Sequence, residues 1–214
     1  MSRSEIGALS LILLSFLIGV YFYPLMPELM AVHWNLEGRV DGYVSRFWGL
    51  FLLPFTSIGL FLFFLMIPKI DPLRENYEKF KKFYAGLVVF LIVFLFYLDL
   101  LVISWNLNVK FNMIQALAPA FGFLYYFLGV VTQHVKRNWF VGIRTPWTLS
   151  NDEVWNKTHE LGAKLFKACG VVAFFGLVVE QFAIYFMVLP VIFVAVYTTV
   201  FSYSEHQRQI KVEK

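Results

Sequence analysis

The chain has 214 residues, 59% of them hydrophobic and 15% charged, with 25 phenylalanines and a mean hydropathy of +0.68. A soluble chain of this length has no interior large enough for that apolar surface, so a bilayer must solvate most of it, which excludes an ordinary cytosolic enzyme, a disordered chain and a soluble DNA-binding module. The single cysteine, Cys169, excludes an internal disulfide framework and a Cys-rich metal site, and the formal charge of +4 reads as membrane orientation rather than nucleic-acid binding.

In chain order, the first apolar run is Glu5–Tyr23. It is longer than the apolar region of a secretory signal and has no small-x-small cleavage site before Pro24, so it is expected to stay as a helix. The loop Pro24–Arg46 follows. Pro27-Glu28 suits a helix start, because proline fits the first turn and an acid suits the dipole; a short helix is expected there. Glu37-Gly38 and Asp41-Gly42 are turn signals. Met26, Leu29, Met30, Val32 and Trp34 are too apolar for free solvent, so this loop should lie on the membrane or fold back over the helices. Trp34 and Tyr43 are equally readable as an interfacial aromatic belt.

Phe47–Ile67 is the second run, and the charged stretch Pro68–Lys82 reads as an ordinary solvated connector. The third run, Phe83–Trp105, contains Asp99 roughly 9 Å from its end at about 1.5 Å per residue. Three readings of this acid stand: a proton or cation site, an anchor for Arg39 or Arg46, or a side chain reaching a headgroup from a tilted helix. Met113–Gln133 is the fourth run, followed by a second long loop, 134–160. In it, Gly142 and Pro146 delimit a compact turn around Ile143-Arg144-Thr145. Ser150 and Glu153 have capping-box spacing, so a helix is expected from near Asn151, with Trp155 and His159 on one face. Leu161–Val179 and Phe182–Phe201 complete the set as a tight hairpin, and Lys164 and Lys167 would reach the headgroups. Pro54, Pro119 and Pro190 lie at similar depth in spans two, four and six, where three kinks would open a cavity beneath the 24–46 loop.

Each run is close to the ~20 residues needed to cross a bilayer. Alternating crossings place fifteen of the eighteen Lys and Arg, Lys214 among them, on one side and only Arg39, Arg46 and Lys110 on the other. The positive-inside rule then puts both termini and the 134–160 loop in the cytoplasm. The expected protein is all-α, with six transmembrane helices. Residues 1–67 form a two-helix region with a long outer loop, 68–82 a cytoplasmic connector, 83–201 a four-helix region with the inner loop, and 202–214 a cytoplasmic tail.

The inner loop's Asn138, Gly142-Ile143-Arg144-Thr145-Pro146-Trp147-Thr148-Leu149, Val154-Trp155 and Thr158-His159 together resemble the signature of the SdpI family, the sporulation-delaying-protein immunity proteins. The outer loop's Pro27, His33-Trp34-Asn35, Gly38 and Asp41-Gly42-Tyr43 are similar to the uncharacterised membrane domain that commonly precedes it. The resemblance implies a multi-pass protein of the cell membrane, immunity to a secreted peptide toxin, and signal transduction by holding a transcriptional repressor at the membrane.

Arg144, held in its turn, can make a bidentate contact with a carboxylate or phosphate, or pair internally with Asp152 or Glu153. Trp147 and Trp155 are aromatic anchors of the kind found at interfaces. With Asn138, Thr145 and His159 they form the expected docking surface for a cytoplasmic regulator protein. His33, Trp34, Asn35, Asp41 and Tyr43 are expected to face an external peptide.

Tests for chemistry fail. His159-Glu160 begins a His-Glu-x-x-His motif, but Ala163 stands at its last position. His33, His134, His159 and His206 divide between the two sides. No Gly-x-Ser-x-Gly or phosphate-cradling loop is present, and the sequon at Asn156 falls on the cytoplasmic side. No catalytic residue, metal, cofactor or direct nucleic-acid contact is expected; the lipid bilayer is a partner. Two rival readings remain: a small ion-coupled transporter built on Asp99 and the three prolines, and a membrane enzyme with a cytoplasmic Arg144–His159 site that lacks a nucleophile.

Overall fold

A computed structural model describes residues 2–212; Met1, Glu213 and Lys214 lie outside the described residues, and with them the expected position of Lys214. The elements are α1 (Arg3–Phe22), β1 (Leu29–Trp34), β2 (Val40–Ser45), α2 (Arg46–Ile70), α3 (Tyr77–Asn106), α4 (Met113–His134), α5 (Pro146–Ser150), α6 (Asp152–Phe174) and α7 (Ala183–Val212). Side-chain caps set several starts: Ser2 and Glu5 form a reciprocal capping box on α1, and Asn112 caps α4. Helix α7 continues through the segment expected to be a tail.

Among the described residues, five helices are long and apolar enough to cross a membrane: Arg3–Leu25, Arg46–Ile70, Arg74–Asn106, Met113–His134 and Glu180–Lys211. Helix α6 is not one of them, because its first two-thirds carry Asp152, Glu153, Lys157, Glu160, Lys164 and Lys167. It nevertheless lies antiparallel along α4. Two glycines set that closeness: a Cβ on Gly129 would sit 2.7 Å from the Ala163 carbonyl, and one on Gly170 would sit 2.7 Å from the Gly122 carbonyl. At the far end Gln115 Nε2 donates to the Leu177 carbonyl (2.7 Å) and Asn112 Nδ2 to Glu180.

The packing falls into two bodies of core. Helices α1, α2 and α3 enclose Ala8, Ile12, Phe61, Leu87 and Ile92, extending to Val131 and Trp155 at one end. Helices α4, α6 and α7 enclose Ile114, Ala118, Tyr125, Cys169, Ala173, Met187 and Val194. The outward surfaces of α1, α2 and α7 carry exposed Leu, Phe, Val and Ile, as lipid-facing helices must.

The first correction concerns residues 24–46. The short helix expected from Pro27 does not form; the segment is an antiparallel hairpin, β1 with β2. Its turn is closed by Asn35, whose Oδ1 accepts from Glu37 N and Arg39 N (3.0 Å each), with Gly38 at φ +75°. The hairpin is seated, not loose. Met26 and Met30 pack on Leu50, Phe51 and Ile103, and Asn106 of α3 grips Ala31 through both its N–H and its carbonyl, at 2.9 Å each. The protein is therefore not purely α-helical. Pro54, Pro119 and Pro190 sit inside α2, α4 and α7, but none of them lines the grooves of about 580 and 570 Å³ described below. Beneath the hairpin Met30 packs directly against Gly49 of α2.

Candidate functional site

The loop between α4 and α6 is organised by Asn138, which is fully buried. Its Oδ1 accepts from Phe140 N (2.9 Å), Val141 N (2.7 Å) and the Tyr77 hydroxyl (3.2 Å). Its Nδ2 donates to the carbonyls of Lys136 and Val141, at 2.8 Å each. An amide has one accepting and one donating end, and here both are saturated, so the side chain acts as an internal strut. Beside it, buried Asp71 accepts from Leu73 N (2.6 Å), the Tyr77 hydroxyl (3.0 Å) and Trp139 N (2.9 Å). Asn76 Nδ2 donates to the Arg137 carbonyl at 2.8 Å. The 68–82 stretch is thus half of a clasp, not a passive connector. Asp71, Asn76 and Tyr77 are the residues the sequence reading missed; the one local signal was an acid placed to close an Asx turn on Leu73.

The second half of the loop is fixed from α6. Gly142 has φ +114°, and a Cβ there would lie 2.5 Å from His159 Nε2. That nitrogen accepts from Ile143 N (3.0 Å), so the ring proton sits on Nδ1, which donates to the Trp155 carbonyl (2.8 Å). The ring stacks on Trp155 with centroids 3.9 Å apart, and Trp155 Nε1 donates to the Val135 carbonyl (3.1 Å). Burial holds His159 in its neutral form, lowering its pKa to about 4. Thr145 and Thr148 form a reciprocal cap on α5, and Thr145 Oγ1 lies 3.0 Å from Ser202 Oγ on α7. Trp147 packs on Tyr203, with centroids 5.1 Å apart.

The structure thus brings Asn138, Thr145, Trp147, Trp155 and His159 together, but it buries Asn138, Thr145, Trp155 and His159 inside the clasp. They cannot form an exposed docking face: their polar atoms are consumed by the loop's own backbone. Arg144 is exposed and donates to the Trp139 carbonyl (2.7 Å). The expected internal pairing with Asp152 is made by Arg137 instead, at 2.8 Å. The expected Ser150–Glu153 cap is replaced by Asn151, which accepts from Glu153 N and Val154 N. Lys136, Trp139 and Arg144 are among the residues still presented to solvent here.

At the opposite end, the hairpin divides its five candidates. His33 and Asp41 face each other across the strands, with Nδ1 and Oδ1 2.5 Å apart, and both are accessible. Tyr43 is exposed, Asn35 is spent on the turn, and Trp34 packs edge-on against Trp105 with centroids 5.5 Å apart. Beside the hairpin turn a polar groove of about 570 Å³ runs between Leu36-Glu37 and Val178–Gln181, floored by Asn112 and Ile114.

Asp99 on α3 is 1% exposed, and neither carboxylate oxygen has a hydrogen-bond partner among the described residues. The expected anchors are elsewhere: Arg39 pairs with Glu37, and Arg46 lies over the Tyr23 ring. Buried Ser15 of α1 is the polar side chain beside it.

Residues 134–202 match the SdpI/YfhL protein family, and residues 10–58 match a domain of unknown function, DUF1648. The chain is similar to immunity protein SdpI of Bacillus subtilis (strain 168), with 25% identity over 207 residues, covering 96% of this chain and 97% of that one. The family match and the end-to-end similarity to an immunity protein point the same way. No solved structure matches. The family match begins at His134, where the clasp begins, and ends at Ser202, the α7 residue that meets Thr145. The DUF1648 match covers α1, the hairpin and the first half of α2. The SdpI/YfhL match over 134–202, the similarity to SdpI and the five apolar helices indicate a multi-pass membrane protein.

Proposed function

We propose that this protein confers immunity on the cell that carries it, meeting an external peptide at the hairpin end and engaging a cytoplasmic regulator at the clasp end. The observation that carries the reading is the end-to-end similarity to an immunity protein. In this reading the chain crosses the cell membrane six times. Helix α6 is the remaining crossing, supported by its course along the length of α4, and the basic bias directs both termini and the clasp inward. The peptide-facing surface is His33, Asp41 and Tyr43 with the groove beside Glu37 and Glu180. The regulator-facing surface contracts to Arg144, Trp139, Lys136 and half-buried Trp147.

The test is complementation. A B. subtilis strain lacking its SdpI, expressing this chain, should survive the peptide against which that protein protects, whereas the empty vector should not; equal killing rejects the immunity reading. Topology is checked separately. On a Cys169→Ser background, Cys at Glu37 or Val109 should react with an impermeant thiol reagent in intact cells, and Cys at Glu75 or Ser150 only after lysis.

A second reading, a small ion-coupled carrier, is favoured by Asp99 alone. An ionised carboxylate at that depth costs about 3 kcal/mol unless it is compensated. Ion flux into proteoliposomes that vanishes in Asp99→Asn would support the carrier, and flux absent from the wild type would end it.

A further inference from the structure

A groove of about 580 Å³ opens between α1, α2 and α3 at the clasp end. Its walls are Phe61, Phe64, Leu65 and Pro68 of α2 with Tyr84, Ala85, Val88 and Val89 of α3. Pro68 has no N–H, so the carbonyl four residues back, Phe64, loses its helical donor. The Tyr84 hydroxyl replaces that donor at 2.6 Å. The wall therefore presents no unsatisfied carbonyl there and is fitted to an alkyl chain rather than to water or a polar peptide.

The mouth is different. It is formed where α1 and α3 begin and α2 ends, the level of the headgroups if these helices span, and it holds Ser2, Glu5, Glu78, Lys81 and Lys82. Both acids are engaged: Glu5 accepts from Ser2 N (3.0 Å), and Glu78 pairs with Lys81 (3.1 Å). Lys82 is exposed and makes no ion pair or hydrogen bond among the described residues. Lys69 and Lys79 stand at the same helix ends. An apolar slot beneath an ammonium that pairs with neither acid of the mouth, at headgroup depth, is complementary to one class of molecule.

We propose that this groove holds one anionic phospholipid from the leaflet at the clasp end, with an acyl chain against Phe61, Phe64 and Val88 and its phosphate on Lys82. Tyr77 lines the same groove and bonds both Asp71 and Asn138, so the lipid would sit against the clasp itself.

The experiment is lipid retention. The full chain is placed in nanodiscs of equal phosphatidylglycerol and phosphatidylcholine, released, and read by native mass spectrometry. One phosphatidylglycerol should be retained in preference to phosphatidylcholine, with about fivefold weaker retention in Lys82→Gln, the expected weight of one surface cation. Ala85→Phe, which fills the slot, should lower retention of either lipid at unchanged melting temperature. If Ala85→Phe does not fold, Lys82→Gln on the exposed surface still decides. Equal retention of the two lipids, unchanged retention in Lys82→Gln, or displacement by soluble glycerol phosphate would each overturn the proposal.

Discussion

The two long loops look alike in sequence: each has more than twenty residues and is rich in aromatics, turn signals and scattered charge. They are built on opposite principles. The 134–160 loop spends its polar side chains inward. Asn138, Thr145, Thr148 and His159, joined by Asp71 from the 68–82 stretch, bond the loop's own amides at Trp139, Val141, Ile143, Thr145 and Thr148, in a segment without a regular ladder. The hairpin satisfies its backbone by strand pairing, which frees His33, Asp41 and Tyr43 to face solvent. Buried polar residues at the clasp thus report on construction. Accessible polar residues on the hairpin report on what the protein meets.

The sharpest way to break that contrast is Asn138→Ala. It leaves two amide N–H groups and two carbonyls without partners in a buried place and should lower stability in detergent by about 3 kcal/mol, read by thermal or denaturant unfolding. His33→Ala, removing an exposed cross-strand pair, should stay within about 1 kcal/mol. Equal effects would mean that the hairpin is as much a structural lock as the clasp.

A second contrast separates the ends by pH. The folded pKa of His159 is lowered to about 4 from 6.5. Below 6.5 the unfolded chain binds a proton that the folded chain does not, so the clasp loses stability as pH falls from 6.5 towards 4 and nothing further is lost below. The protection factor of the Ile143 amide, its exchange rate relative to the intrinsic rate at the same pH, should fall across that window, and His159→Gln should flatten the dependence. The smallest expected change is Arg144→Lys. Its side chain is exposed, so stability should move by no more than about 0.5 kcal/mol, while capture of a cytoplasmic partner falls if the proposed surface is correct. Stability and capture falling together would make Arg144 part of the clasp.

Five of the six apolar runs were legible because twenty-residue hydropathy needs no tertiary information. The pairing of Trp155 with His159 was legible for the same reason, since i, i+4 is local geometry. The hairpin was misread: Pro27-Glu28 carries a helix signal, while the alternating exposure of Val40–Ser45 is only six residues long and broken by irregular pairing at His33. Asp71 and Tyr77 were invisible because partners of theirs lie 68 and 61 residues away, and a charged stretch after a span reads as solvated by default. Asn138 was picked out by resemblance, but nothing in the sequence showed that its amide would be consumed internally.

The stacking of Trp155 on His159 has an optical consequence. Of the chain's six tryptophans, Trp155 is 1% exposed with a neutral imidazole lying flat against its indole, so opening the loop would bring water to the indole and shift its emission to longer wavelength. The emission of that single residue, isolated by replacing the other five with Phe, becomes a built-in reporter of whether the loop is shut.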